Sequence, residues 1–181
     1  MNILEIILIG IGLSMDAVAV SMTNGMVYKN MTKGKELAMP IAFGLFQGGM
    51  PLLGYFAGSL FTVFISKYSG IITLIILGFI GGKMIKDSFN DDQNNNNNIS
   101  LTYKVLLFQA LATSIDAFAV GVSFCATGVD INFAAPIIAI TTFICSFLAI
   151  IIGKRFGNIL GSKAHMLGGI ILIIIGIKAI I

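Results

Sequence analysis

The chain is short of charge. Its 181 residues include 11 Lys and Arg and 8 Asp and Glu, which is 10% in all against a hydrophobic share of 57%. A soluble domain carries roughly 25% charged residues. This chain therefore lacks the side chains needed to cover a water-facing surface, which excludes a soluble globular protein and points to an integral membrane protein. Histidine is reduced to His165, and cysteine to Cys125 and Cys145, each in an apolar stretch. Zinc-type sites need clustered Cys and His ligands. The two cysteines are instead expected to pack as small apolar side chains, and His165 to sit at the membrane interface. No P-loop is present, so nucleotide hydrolysis supplies no drive. The net charge of +3 is confined to loops and reads as topology, not as nucleic-acid binding. Apolar sequence begins almost at Met1 without a basic region before it, which argues against a cleavable signal peptide.

What is present is length in the apolar runs. Six segments approach the roughly 20 residues that a spanning helix needs: Ile3–Met26, Leu37–Phe61, Tyr68–Ile85, Leu101–Ala126, Phe133–Gly153 and Ala164–Ile181. None alternates as a barrel wall would. Backbone groups in lipid must be satisfied within the segment, so all six are expected to be helices. The expected fold class is all-α, a single transmembrane domain of six helices. The connections are short except one. Residues 87–100 hold Asp91-Asp92-Gln93 and then Asn94 through Asn98, a tract with almost nothing to bury. It divides the chain into residues 1–86 and 101–181, each with three segments.

The two halves resemble each other. Ser14-Met15-Asp16-Ala17-Val18-Ala19-Val20 returns as Ser114-Ile115-Asp116-Ala117-Phe118-Ala119-Val120, one hundred residues later. Gly54-Tyr55-Phe56-Ala57-Gly58 echoes Gly153-Lys154-Arg155-Phe156-Gly157, and Ile80-Gly81-Gly82-Lys83 echoes Ile175-Gly176-Ile177-Lys178. Three crossings per half would send the second half in from the opposite side, giving an inverted-topology repeat. Lys29, Lys33, Lys35, Lys83, Lys86, Lys104, Lys154, Arg155 and Lys163 fall on one side, and only Lys67 and Lys178 on the other. The positive-inside rule then places the linker in the cytoplasm and both termini outside.

A charge at membrane depth costs about 2.5–3.5 kcal/mol on insertion scales and marks a functional site by default. Asp16 and Asp116 both fall roughly 20 Å into a core roughly 30 Å thick, from opposite faces. Inverted symmetry would bring them together at the interface between the halves. Two carboxylates in one dry site repel, and either a proton or a divalent cation relieves that repulsion. Competition between the two is the minimal basis for cation/proton exchange. Oxygen ligands favour hard ions such as Mn²⁺, Mg²⁺ or Ca²⁺. Asn24, Ser123, Thr113 and Gln47 are the second-rank ligand candidates. Pro51 removes the amide donor to the carbonyl of Gln47, and Met50 offers a soft atom. Ser14 and Ser114 would reach the site only if their helices were irregular there. Glycines four apart, at Gly44/Gly48, Gly54/Gly58, Gly78/Gly82 and Gly157/Gly161, are expected at close helix contacts. Glu5 is expected at the interface, and Glu36, Asp87, Asp91, Asp92 and Asp130 are expected to be solvated. From these residues alone the alternatives stay open: a carrier of a divalent metal, a carrier of a cationic metabolite such as lysine, or a membrane scaffold that transports nothing. Each partners the lipid bilayer and needs no cofactor. A homo-oligomer stays open too.

Four motifs then run in order along the chain: Ser14–Ser21, Phe43–Gly54 (Phe-Gly-x-Phe-Gln-x-x-Met-Pro-x-x-Gly), Gly81–Ile85 and Ala112–Gly121. Together they resemble the MntP (YebN) family of manganese efflux pumps. The resemblance implies six transmembrane helices, a bacterial inner-membrane location, export of Mn²⁺, and a requirement for the motif acids Asp16 and Asp116. This chain carries Gln47 where some relatives carry a third acid in helix 2. A sister group of sporulation membrane proteins shares a weaker Ser-x-Asp motif, and the second motif here fits the exporters better. On this reading the protein is a carrier that does no covalent chemistry.

Overall fold

In the computed structural model the described residues are 2–28, 31–90, 101–160 and 164–178. They form five helices and no strand: α1 (Ile3–Val27), α2 (Lys33–Asn90), α3 (Tyr103–Thr127), α4 (Ile131–Leu160) and α5 (Ala164–Lys178). Among the described residues, four stretches are long and apolar enough to cross a membrane: Ile3–Val27, Lys33–Ala57, Tyr103–Thr127 and Ile131–Gly157. The Asn tract lies outside the described residues. Helix termini follow local chemistry. The backbone amide of Asn2 donates to the Glu5 carboxylate at 3.0 Å, which satisfies a donor just before α1. Gly128 ends α3 at φ 68, a left-handed conformation that only glycine adopts without strain.

No non-helical gap separates the second and third apolar segments: helical backbone continues for 58 residues, from Lys33 to Asn90. A straight helix of that length would extend about 87 Å. Yet Ile76 and Ile80 pack against the same cluster that holds Met39 and Phe43, so α2 is not a straight rod: its two apolar arms return to one region of the molecule.

Close backbone approaches join the helices. A Cβ placed on Gly153 of α4 would lie 2.2 Å from the carbonyl oxygen of Met22 on α1. One on Gly54 of α2 would lie 2.1 Å from the carbonyl oxygen of Phe118 and 3.2 Å from the amide nitrogen of Val122, both on α3. Gly44 and Gly48 of α2 abut Ala139 on α4, and Gly44 also meets Phe143. Gly81 and Gly169 abut each other across α2 and α5. Small residues at such crossings let van der Waals packing hold the helices together in lipid. Gly78 and Gly82, by contrast, face open space.

Buried apolar residues fall into two clusters. One gathers Ala17, Val20, Val27, Tyr28 and Met31 with Leu101, Leu106, Ala110 and Ala112, together with Met39, Phe43, Ile150 and Leu172. The other gathers Ile6 and Leu13 with Ala117, Phe124, Val129, Ile131, Ala134, Ala135 and Ile138. Beside the first cluster, where α1 ends and α2 and α3 begin, Glu36 forms an ion pair with Lys154 of α4. Glu36 is therefore held in an ion pair rather than merely solvated, because the α4 backbone brings Lys154 alongside. The Lys35 ammonium stands 5.7 Å from the centre of the Tyr103 ring. Asp130 stays exposed, as expected, and accepts from the Asn132 amide. Large exposed apolar side chains such as Leu45, Phe56 and Phe79 cover the outer surface and suit contact with lipid.

Candidate functional site

Asp16 and Asp116 sit at the boundary between the two clusters. On α1, the residues before Asp16 join one cluster (Ile6, Leu13) and those after it join the other (Ala17, Val20, Val27). On α3 the order is reversed: Leu106, Ala110 and Ala112 come before Asp116, and Ala117 and Phe124 after it. Asp16 and Asp116 thus stand at the corresponding point of α1 and α3, where one cluster gives way to the other. Asp16 is half-buried and Asp116 is exposed. One carboxylate oxygen of Asp116 accepts from the Ala117 amide at 2.9 Å.

Both helices stay regular around the acids. Ser14 donates its hydroxyl to the carbonyl of Ile11 at 2.8 Å, and Ser114 to that of Leu111 at 3.1 Å. These matched bonds turn both hydroxyls back onto their own helices. The local unwinding that would have aimed them at the site is absent, because back-bonded serines are compatible with an intact helix.

The second-rank candidates take different places. Gln47 is fully buried, and its Nε2 donates to the carbonyl of Leu13, one turn before Asp16, at 2.5 Å. Its Oε1 is buried without a partner. Asn24 is fully buried in a reciprocal amide pair with Gln109, through bonds of 2.7 and 3.3 Å, and its Nδ2 also approaches the Met39 sulfur at 3.8 Å. Thr113 donates to the carbonyls of Gln109 and Ala110. Ser123 is exposed and donates to Ala119 of its own helix. Met50 packs against the second cluster. The cysteines are free. Cys125 is exposed rather than packed, and Cys145 is half-buried.

Several polar residues were missed by the sequence reading. Gln109, Ser21, Thr142 and Ser146 are all fully buried. The oxygens of Ser21, Thr23, Thr142 and Ser146 have no hydrogen-bond partner, like Oε1 of Gln47. One signal would have found Ser146. The offset of 99 that maps Gly54 onto Gly153 also maps Gln47 onto Ser146 and Phe43 onto Thr142.

Chemically, the arrangement offers two carboxylates and several neutral oxygens. No group of three or more acidic, His or Cys side chains that could hold a metal occurs among the described residues. A hard divalent ion here would take its two charges' worth of neutralisation from the aspartates and the rest of its shell from neutral oxygens or water.

Known proteins resemble this chain over nearly its full length. The family model described as "Mntp: Putative manganese efflux pump" matches residues 30–180. The "Putative manganese efflux pump MntP" of Ruminiclostridium cellulolyticum is 49% identical over 179 residues, covering 98% of this chain and 95% of the relative. The protein of the same description from Campylobacter hominis is 46% identical over 178 residues, covering 98% and 97%. "Putative manganese efflux pump MntP 2" of Clostridium botulinum strain Langeland is 42% identical over 191 residues, covering 100% and 95%. No solved structure matches the chain significantly. With apolar spanning helices, an acid at the matching motif position of each half and this likeness over nearly its full length, the chain belongs to the MntP family of multi-pass membrane transporters and is not an enzyme.

Proposed function

We propose that this protein exports Mn²⁺ in exchange for protons, with Asp16 and Asp116 binding the ion between two apolar clusters that act as barriers on either side. The observation that carries the reading is the pairing of those acids. They occupy the same motif position in each half and mark the point where one cluster gives way to the other. A divalent ion neutralises both charges at once. Protons do the same in its absence, so one species leaves as the other arrives. The choice of metal comes from the relatives, which are described as manganese efflux pumps.

A repeated, inverted arrangement of the halves is part of the proposal. Its support is the pairing of contacts. Met22 meets Gly153, and the repeat maps that pair onto Val122 and Gly54, which also meet. Gly44 and Phe143 are repeat mates and touch each other, as residues near a pseudo-two-fold axis would. Residues 1–86 and 101–181 are the two units, with six crossings in all. Both termini lie outside, and the lysine-bearing end that holds Glu36 and Lys154 faces the cytoplasm. Asn24, Gln47, Thr113 and Ser123 remain second-rank ligands in this scheme.

The test is transport of Mn²⁺ by the full chain in proteoliposomes and rescue of Mn²⁺-sensitive cells. The Asp16→Asn/Asp116→Asn protein should fold, reach the membrane and carry no Mn²⁺. Retained rescue would overturn the reading in favour of a scaffold, because a neutral amide still hydrogen-bonds. Flux of Mg²⁺, Cd²⁺ or lysine in place of Mn²⁺ would overturn the choice of cargo. A reporter fused to either terminus that is active only in the cytoplasm would overturn the orientation.

A further inference from the structure

We infer that Thr142 and Ser146 of α4 complete the oxygen shell of the ion held by Asp16; the inference rests on the proposed transport site. Both residues are 0% exposed, and neither hydroxyl oxygen has a partner. A buried polar group without a partner is costly. Two of them one helical turn apart on the same face call for a physical reason.

Their placement supplies one. Helix α4 lies along α1. Gly10 of α1 abuts Ile138 and Thr141, and Gly25 abuts Ile150 and Lys154. Between those fixed points, Thr142 and Ser146 fall beside the turns from Leu13 to Ser21, which carry Asp16. Helix α2 closes the same region. Gly44 and Gly48 meet Ala135, Ala139 and Phe143 of α4, and Gln47 between them donates to the Leu13 carbonyl. Three buried oxygens without partners, from Gln47, Thr142 and Ser146, therefore belong to the interfaces around the one turn that bears the acid.

The repeat adds an independent indication. Ser146 stands where Gln47 stands in the first half. The same helix position thus carries a buried, unpartnered oxygen twice, although the residue type differs. Duplication of an unsatisfied group is hard to attribute to packing. The chemistry fits as well. Two aspartates cancel a divalent charge, and hydroxyl and amide oxygens are hard neutral donors that fill remaining positions without overcharging the site. The hydroxyls act directly on the ion or through a water it retains.

The experiment compares Thr142→Val, Ser146→Ala and Thr142→Ser in the full chain, reading Mn²⁺ transport kinetics and the melting temperature with and without Mn²⁺. Valine keeps the shape of threonine and removes only the polar function, so the ion-free Thr142→Val protein should melt at or above the wild-type temperature. Its KM for Mn²⁺ should rise about tenfold or more, and the stabilisation by Mn²⁺ should shrink accordingly. Ser146→Ala should do the same, and Thr142→Ser should restore the wild-type KM. Wild-type KM and an undiminished Mn²⁺ shift in both Thr142→Val and Ser146→Ala would overturn the inference. A raised KM in Thr142→Ser would also overturn it, since the lost methyl, not the hydroxyl, would then be responsible. If Asp16→Asn/Asp116→Asn still carries Mn²⁺, the underlying site falls. If that variant is dead while the α4 variants bind Mn²⁺ normally, only this inference falls.

Discussion

The sharpest structural prediction concerns Gly153. Replacing it with alanine adds one carbon, 2.2 Å from the carbonyl oxygen of Met22, 2.9 Å from its carbonyl carbon and 3.0 Å from its Cα. All three obstacles are backbone atoms of α1, which cannot swing aside as a side chain would. Ordinary contact begins near 3.4 Å, so α1 and α4 must separate by about an ångström along a tightly packed crossing. Overpacking of this kind costs about 1–3 kcal/mol, and a rigid backbone obstacle places Gly153→Ala toward the upper end. Gly82→Ala is the control. It meets nothing within 4 Å, and alanine in an exposed helix position gains about 0.5–1 kcal/mol over glycine. The two variants should therefore move in opposite directions. In a chain of this size 1 kcal/mol is worth about 2–4 °C. Thermal unfolding of the purified protein should show Gly153→Ala several degrees below wild type and Gly82→Ala level with it or above. Gly54→Ala, which meets Phe118 at 2.1 Å, should match Gly153→Ala. A Gly153→Ala protein that melts with Gly82→Ala would refute the close crossing of α1 and α4.

Two further predictions follow from the interior. Gln109→Leu leaves the buried Asn24 amide without its reciprocal partner and should cost about 1–2 kcal/mol, measured as a lowered melting temperature. Adding Asn24→Leu should recover part of that loss, and equal, additive losses would show that the pair is not coupled. For exchange, Mn²⁺ leaving proteoliposomes should draw protons inward, read with a trapped pH-sensitive dye. Acidifying the face from which Mn²⁺ binds should raise the Mn²⁺ concentration needed for half-maximal flux, because protons compete for the same carboxylates. Flux indifferent to both pH and a proton-dissipating ionophore would rule out proton coupling.

Some of this was legible in the residues. Low charge and long apolar runs are properties of the local chain, and in lipid they leave helices as the only outcome for these segments. The Ser-x-Asp repeat marked the acids for the same reason: a carboxylate amid apolar neighbours stands out wherever the chain goes. The sequence also suggested a non-helical gap between the second and third apolar segments; the backbone there stays helical, while the two arms on either side return to one region of the molecule. Glycine spacing succeeded at Gly44, Gly48, Gly54 and Gly157, failed at Gly78 and Gly82, and overlooked Gly121 and Gly153. Spacing tells which face a glycine lies on but not whether another helix crosses that face.

What the amino-acid order determined by itself was therefore the class, the helices, the family and the two acids. Hydropathy, backbone satisfaction in lipid and motif identity all act over a few residues at a time. Only the tertiary structure decided that Asn24 answers Gln109 across 85 residues, that Glu36 pairs with Lys154 across 118, and that Thr142 and Ser146 are buried beside the acid-bearing helix with no partners of their own. Partners for a buried polar group come from whatever helix packs opposite. No local pattern encodes the identity of that helix.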